Sequence, residues 1–511
     1  MVAVLQRHYG IEHAGCANMA ELLKRQYSII VLKVELLADR ADGEHVSFKV
    51  QLNKQGELVE SQPKLVPANL ICRASLRDSE TSWNESSDFT LPKTMLEELR
   101  LWMDAETDYE QPLWVHLVSP YGLLRFVAWE RVLGHAINRP ILMLPDFVFP
   151  PPREAAATLD VVVCGSAPLN REDHSIKAGV AHAIQHIASV ERDKVRIHVF
   201  VDKQIQKDLQ SLLPPDLSQA GVVTFYDQER ARPFVGDAST EPLTRKPGDL
   251  KSPWLLWIRE CLRNQSVDVV HFVCHGYLAR QRGALLFAQS PIERSRSYLS
   301  GPVFGADLQA FFTQIGAWST VFSSIPDNSS EYGLRGLADE IAQARPGPLM
   351  MYVQKEDATG TALADGYRFL FSPHMPTAPA STALFIYCQP YLAALPVSMS
   401  RTRGAADDLS EFALKSVPRN KDQFEFATLS QRTASPLDRF FASPNLVTST
   451  VAATERFAEQ VELRYQQLTR DGVLVGEHGS RTVNTVVDTV SKLRAAVASL
   501  GSAVNEGPES L

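Results

Sequence analysis

Between Leu113 and Phe371, short apolar runs of strand length alternate with segments of helical spacing, and this alternation constrains the fold more than any other feature. Strand-like runs such as "LWVHLVS", "LDVVVCGS", "VRIHVFV", "VVTFY", "DVVHFVCHG", "STVFSSI" and "PLMMYVQ" are interleaved with "IKAGVAHAIQHIASV", "IQKDLQSLL", "WLLWIRECLRN", "DLQAFFTQI", "GLADEIAQA" and "ADGYRFLF". Strands that alternate with helices predict an α/β domain: a mainly parallel sheet covered by helices on both faces. In such sheets sites form beyond the carboxyl ends of the strands, where Cys164, His275 and the residues around Ser324 are expected.

The flanks differ in texture. From Tyr27 to Cys72 apolar and polar residues alternate, with breaks at Asp42-Gly43 and Gln55-Gly56 that read as hairpin turns. "LPKTMLEELRLWMDAE" then has proline near its start and the apolar spacing of an amphipathic helix. Residues 1–110 are therefore expected to form a small β-rich module with a linking helix, and residues 111–395 the α/β domain. Residues 396–511 begin as a polar linker and continue into two helical patterns, 445–468 and 482–500, a helical C-terminal extension.

Composition narrows the function classes. With 51 Lys+Arg against 59 Asp+Glu the formal charge is −8, so nothing global favours nucleic acid or an anionic membrane surface. The six cysteines are scattered without a C-x-x-C pair, which argues against a disulfide framework or a zinc site and suits a reducing cytoplasm. The first residues lack the long apolar core of a signal peptide, and no window approaches the ~18 apolar residues of a spanning helix. A cytoplasmic protein with neither membrane nor nucleic-acid partner is the expectation, and no cofactor is called for.

The stretch from Ser266 to Phe287, "SVDVVHFVCHGYLARQRGALLF", carries the sharpest chemistry. Val267 to Val273 reads as a buried strand that stops in a tight turn at Cys274-His275-Gly276. A histidine delivered at such a strand end is placed to act as a base, but covalent catalysis needs a nucleophile from another strand.

Four segments between Gln111 and Tyr391 resemble the CHAT domains, bacterial members of the caspase-like peptidase clan. "SPYGLLRFVAWERVL", with Trp129 and Glu130, is similar to the family's opening; "DVVHFVCHG" is similar to its strongest signature and maps the catalytic histidine onto His275. "LQAFFTQIGAWSTVFSSIPDN" occupies the place of the strand that should end in the catalytic cysteine. "GLADEIAQARPGPLMMYVQKEDATGTALADGYRFLF" resembles the closing helix, strand and helix. The resemblance implies a caspase-like sheet whose first strand, ending at Cys164, lies beside the strand bearing His275.

The sequence departs from the family at the nucleophile. Val321-Phe322-Ser323-Ser324 is followed by Ile325, and a one-residue shift would offer only Ser324. A thiol ionises near neutrality and a neighbouring imidazole can hold it as thiolate; a serine hydroxyl is far less acidic. The resemblance then implies a pseudo-peptidase with a vestigial His275 that binds other proteins. Inactive CHAT proteins of this kind resemble components of bacterial antiviral conflict systems, beside a trypsin-like peptidase and a regulatory component.

Other readings stay open. Cys164, ending "DVVVC", could substitute as nucleophile or be core packing. An active peptidase using His275 with Cys164 or Ser324, and a small-molecule sensor built on the old cleft, are the alternatives. Arg280 and Arg282 beside the histidine loop could select an acidic partner or form a solvated loop. His182 and His186 stand four residues apart on a helix, but the segment lacks H-E-x-x-H, so no metal site is expected there.

Overall fold

The computed structural model describes residues 29–37, 43–54, 57–72, 89–107, 111–145, 158–166, 174–192, 194–214, 217, 221–235, 250–263, 265–279, 282–292, 300–325, 328–345, 347–357, 359–372, 377–393 and 491. The polar linker, the two C-terminal helical patterns apart from Ser491, and Arg280 lie outside the described residues.

Strands β1 (Ile30–Leu37), β2 (His45–Lys54), β3 (Glu57–Glu60) and β4 (Lys64–Pro67) come first, followed by helix α1 (Lys93–Glu106), β5 (Leu113–Val118), α2 (Trp129–Ile137) and β6 (Ile141–Met143). The chain continues through β7 (Thr158–Ser166), α3 (His174–Ala188), β8 (Lys194–Val201), α4 (Lys203–Leu212), β9 (Val223–Phe225), α5 (Pro253–Cys261), β10 (Val269–Ala279), β11 (Arg282–Ala288) and β12 (Ser300–Phe304). It closes with α6 (Gly305–Ile315), β13 (Ser319–Ser324), α7 (Asn328–Ala342), β14 (Leu349–Val353), α8 (Thr361–Phe371) and β15 (Leu384–Tyr387).

Among the described residues the strands join one mixed, mostly parallel sheet whose main path is β3-β2-β1-β5-β6-β15-β14-β13-β10-β7-β8-β9, with β4 paired to β2, β11 to β10 and β12 to β11 off that path. It contains two parallel sets of opposite direction. The six strands β14, β13, β10, β7, β8 and β9 run one way. Strands β15, β6, β5 and β1 run the other, and the sets meet at the antiparallel β14–β15 pair. The β-rich N-terminal segment is not a layer of its own, because β1 lies parallel beside β5 from Ile30↔Leu113 to Glu35↔Val118.

Alternation along the strands divides the apolar residues between two cores, one on each face of the sheet. Val162, Cys164, Val270, Phe272, Cys274 and Phe322 pack on one side with Trp254 and Trp257 of α5, Phe311 of α6 and Leu334 of α7. Val161, Val163, Val269, Val273, Val321 and Ile325 pack on the other with Val180 and Ile184 of α3 and Leu363 and Tyr367 of α8. Burial on both faces explains why these strands are nearly continuous apolar runs, and local signals then set the helix ends. Asp202, for example, caps α4 by accepting from the amides of Gln204 and Ile205, and α6 stops at the left-handed Gly316, φ 68°.

One expectation is corrected. Strand β10 does not end in a turn at Cys274-His275-Gly276; it leaves β13 after Val273 and β7 after Cys274, runs on to Ala279, and folds back as β11 and β12. The glycine serves a close helix contact instead of a turn. The Gly276 amide donates to Ser330 Oγ at 2.6 Å, and a Cβ at Gly276 would overlap the Ser330 carbonyl and Leu334 of α7. Gly283 on β11 meets Gly333 of α7 in the same way, so the hairpin lies on the helix backbone.

Candidate functional site

The site expected from sequence lies where β10 parts from β13, at the carboxyl end of β13. The two strands are parallel, with Val269↔Ser319 at one end and Val273↔Ser323 at the other. Two residues beyond that last pair stand His275 and Ile325. Val273 and Ile325 both belong to the core on the α3 and α8 side. Gly276 faces α7 on the opposite side, so alternation turns the half-buried His275 toward the face that holds Ile325.

The substitute nucleophiles stand on the other face. Cys164 and Cys274 belong to the core that includes α7, and the Cys164 backbone is in register with Phe272, not with His275. Both thiols are fully buried. Burial, reinforced by the neighbouring Cys274, pushes the Cys164 thiol well above its ordinary pKa, and burial pushes Cys274 up to about 12. That is the reverse of the depressed pKa that a thiolate nucleophile needs. Ser324 is buried and alternates with Ser323 and Ile325; its Oγ donates to the Ile325 carbonyl at 3.1 Å.

Neither substitute therefore has the setting that would activate it beside His275. Ile325, 3% exposed, supplies only hydrocarbon. No protein-family model, curated protein or solved structure matches this chain. The reading of this edge consequently rests on its own residues.

A serine does reach an imidazole in this molecule, but one layer deeper than expected. His271 is fully buried on β10, with Nε2 2.7 Å from Ser323 Oγ and Nδ1 2.8 Å from the Tyr367 hydroxyl of α8. Burial lowers the His271 pKa from 6.5 to about 3, so the ring is neutral and both nitrogens are satisfied. Sealed from solvent, the trio ties β10, β13 and α8 together and offers no place for a substrate. Its sequence signal is the pair of polar residues, His271 and Ser323, inside otherwise apolar strands.

The Trp129-Glu130 pair anchors a second buried polar group. Trp129 Nε1 donates to the Leu124 carbonyl at 3.1 Å, and Glu130 pairs with the fully buried Arg335 of α7. Arg335 also donates through Nε to Glu331 at 3.0 Å, and Glu331 receives Lys355 at 2.9 Å and Arg131. Burial alone would raise the Glu331 pKa, but Arg335, Arg131 and Lys355 hold it down at about 2. The network fixes the start of α7, whose Ser330 receives the Gly276 amide, and through it the strand that carries His275.

Arg282 is exposed on the hairpin, 3.5 Å from Glu340 and with its guanidinium 5.6 Å from the centre of the Phe304 ring. The rings of His182 and His186 stand 6.2 Å apart. Among the described residues no group of three or more His, Cys, Asp or Glu side chains is arranged to hold a metal ion, and no helix is long and apolar enough to cross a membrane.

Proposed function

We propose that this chain is a catalytically degenerate CHAT-type, caspase-like pseudo-peptidase that acts in the cytoplasm by binding other proteins. The observation that carries the reading is Ile325, an aliphatic side chain where the strand beside His275 should present a thiol. The arrangement of strands supports it: β7 and β13 flank β10, as the resemblance implies for the first strand and the nucleophile strand around the one bearing the histidine. The buried, high-pKa Cys164 and the buried Ser324 weigh against the active-peptidase alternative. On this reading the partners are a trypsin-like peptidase and a regulatory component of a bacterial conflict system.

The chemistry that remains is recognition. Loss of the nucleophile removes acyl transfer, while the hairpin beyond the sheet edge still offers Tyr277, 46% exposed, and Arg282 as contacts of the kinds enriched at protein interfaces. The test pairs two substitutions in the native host. His275→Ala should leave biological activity intact, and Arg282→Glu should impair it by weakening docking. Loss of activity in a folded His275→Ala protein that still binds its partners would overturn the reading.

A further inference from the structure

Beyond the parallel sheet, β10, β11 and β12 continue as a three-stranded antiparallel sheet whose two faces differ. Gly276, Gly283, Leu285 and Val303 turn one face onto α7 and the core behind it. On the other face the register sets His275, Leu286 and Pro302 in one rank and Tyr277, Ala284 and Phe304 in the next. Among the described residues, Tyr277, Leu286 and Phe304 belong to neither core. Tyr277 and Pro302 are exposed, and Leu286 and Phe304 are half-buried.

A sheet buries an apolar face by packing it against another layer, and here a helix fits. Two strand spacings, about 9.6 Å, match the about 10 Å diameter of a helix. A further strand fits less well, because Pro302 leaves the edge strand β12 short of a ladder donor. The face also carries a charge. The Arg282 side chain is 60% exposed and stands 3.5 Å from Glu340, a weak surface pair. The element that suits this face is an amphipathic helix with acidic residues beside its apolar stripe.

The chain holds such a segment in residues 445–468. At about 3.6 residues per turn, Val451, Phe457, Val461 and Leu468 share one stripe, and Glu455 and Glu462 fall together at its margin. The other helical pattern, 482–500, carries Lys492 and Arg494 and has the wrong sign for Arg282. Reach is no obstacle. Strand β15 ends at the edge opposite the hairpin, roughly one strand length or about 35 Å away, whereas residues 394–444 can extend to about 170 Å.

We propose that residues 445–468 pack as an amphipathic helix on the Tyr277–Phe304 face of their own chain, with Glu455 and Glu462 toward Arg282, and withhold the hairpin from partner proteins until these displace it. Tethering makes the contact intramolecular, so a small patch suffices. The inhibitory role rests on the proposed docking function of the hairpin; the contact itself does not.

The test places the photo-crosslinker p-benzoylphenylalanine at the exposed position 277 of the full chain and maps the products by mass spectrometry after irradiation. Crosslinks to residues 445–468 within single chains are expected, and Val461→Asp, remote from the described fold, should lower their yield at least about fivefold. Crosslinks that miss this segment, that join only separate chains, or that persist undiminished in Val461→Asp would each overturn the contact. In the native host Val461→Asp should raise capture of the partner proteins. A crosslink that Val461→Asp abolishes without raising that capture would overturn the inhibitory role. Failure of the docking function itself is read separately, from Arg282→Glu having no effect in the host.

Discussion

Val273 on β10 and Ser323 on β13 are register partners, the last before the two strands part, and Val273 and Ile325 belong to one core on the α3 and α8 face of the sheet. Period-2 alternation makes this relationship exacting. It puts Ile325 on the face of Val273, where the proposed reading sets the lost nucleophile, and turns Cys164 and Cys274 into the opposite core.

Restoring a thiol at this position tests the register. Ile325→Cys should give a cysteine that iodoacetamide alkylates at least about tenfold faster than any native cysteine among the described residues, because an adjacent imidazole stabilises a thiolate. Adding His275→Ala should slow that alkylation. Mass spectrometry of timed samples reads both rates; indifference to His275 would show that the two side chains do not meet.

Acid sensitivity should follow His271. In the unfolded chain the imidazole takes up a proton below pH 6.5, whereas burial delays this in the folded protein until about pH 3. The folded pKa is depressed, so unfolding is coupled to proton uptake between these values. The stabilisation is complete above pH 6.5 and is lost as pH falls toward 3, at about 1.4 kcal/mol per pH unit. Urea unfolding across this range should show a steeper fall for the wild type than for His271→Gln; parallel profiles would contradict the assignment. Glu331 should contribute at lower pH, its stabilisation being lost between 4.5 and about 2.

Arg335 is fully buried between Glu130 and Glu331, so removing it takes from Glu130 its close ion-pair partner in the core and leaves Glu331 to Arg131 and Lys355. Arg335→Leu should cost about 3–5 kcal/mol in chemical denaturation, and the double change Glu130→Leu, Arg335→Leu should recover part of that loss. A cost below about 1 kcal/mol for the single variant would mean that the network does not hold α7 in place.

The parts of this fold readable from sequence are those governed by period and composition. Val161–Val163 and Val269–Val273 are buried strands, as their β-branched runs predict, and they pair side by side; β1–β2 and β2–β3 pair antiparallel, with Asp42, Gln55 and Gly56 of the expected turns outside the described residues. The continuation of β10 was hidden because Gly276 reads as a turn residue until the backbone of α7 is seen against it. Strand direction was hidden as well: nothing in "LWVHLVS" says that β5 runs opposite to β10, because direction is set by which edge a strand joins. At the site, alternation alone puts Val273 and Ile325 on one face, whereas matching His275 with Ile325 rests on the resemblance. The displacement of Cys164 to the other face follows from its register with Phe272, a tertiary fact. His271 and Ser323 were overlooked because two polar residues in apolar strands announce their partnership only when the strands are set side by side.

The central claim, that no nucleophile works beside His275, is tested most directly by intact-mass analysis of the purified chain after exposure to a thiol-directed peptide chloromethyl ketone and to a serine-directed fluorophosphonate, with casein and fluorogenic peptides as parallel substrates. The account predicts no stoichiometric adduct at Cys164 or Ser324 and no cleavage, since both residues are buried and the Cys164 thiol is held protonated. A single adduct that disappears in Cys164→Ala or Ser324→Ala, and that also requires His275, would contradict it.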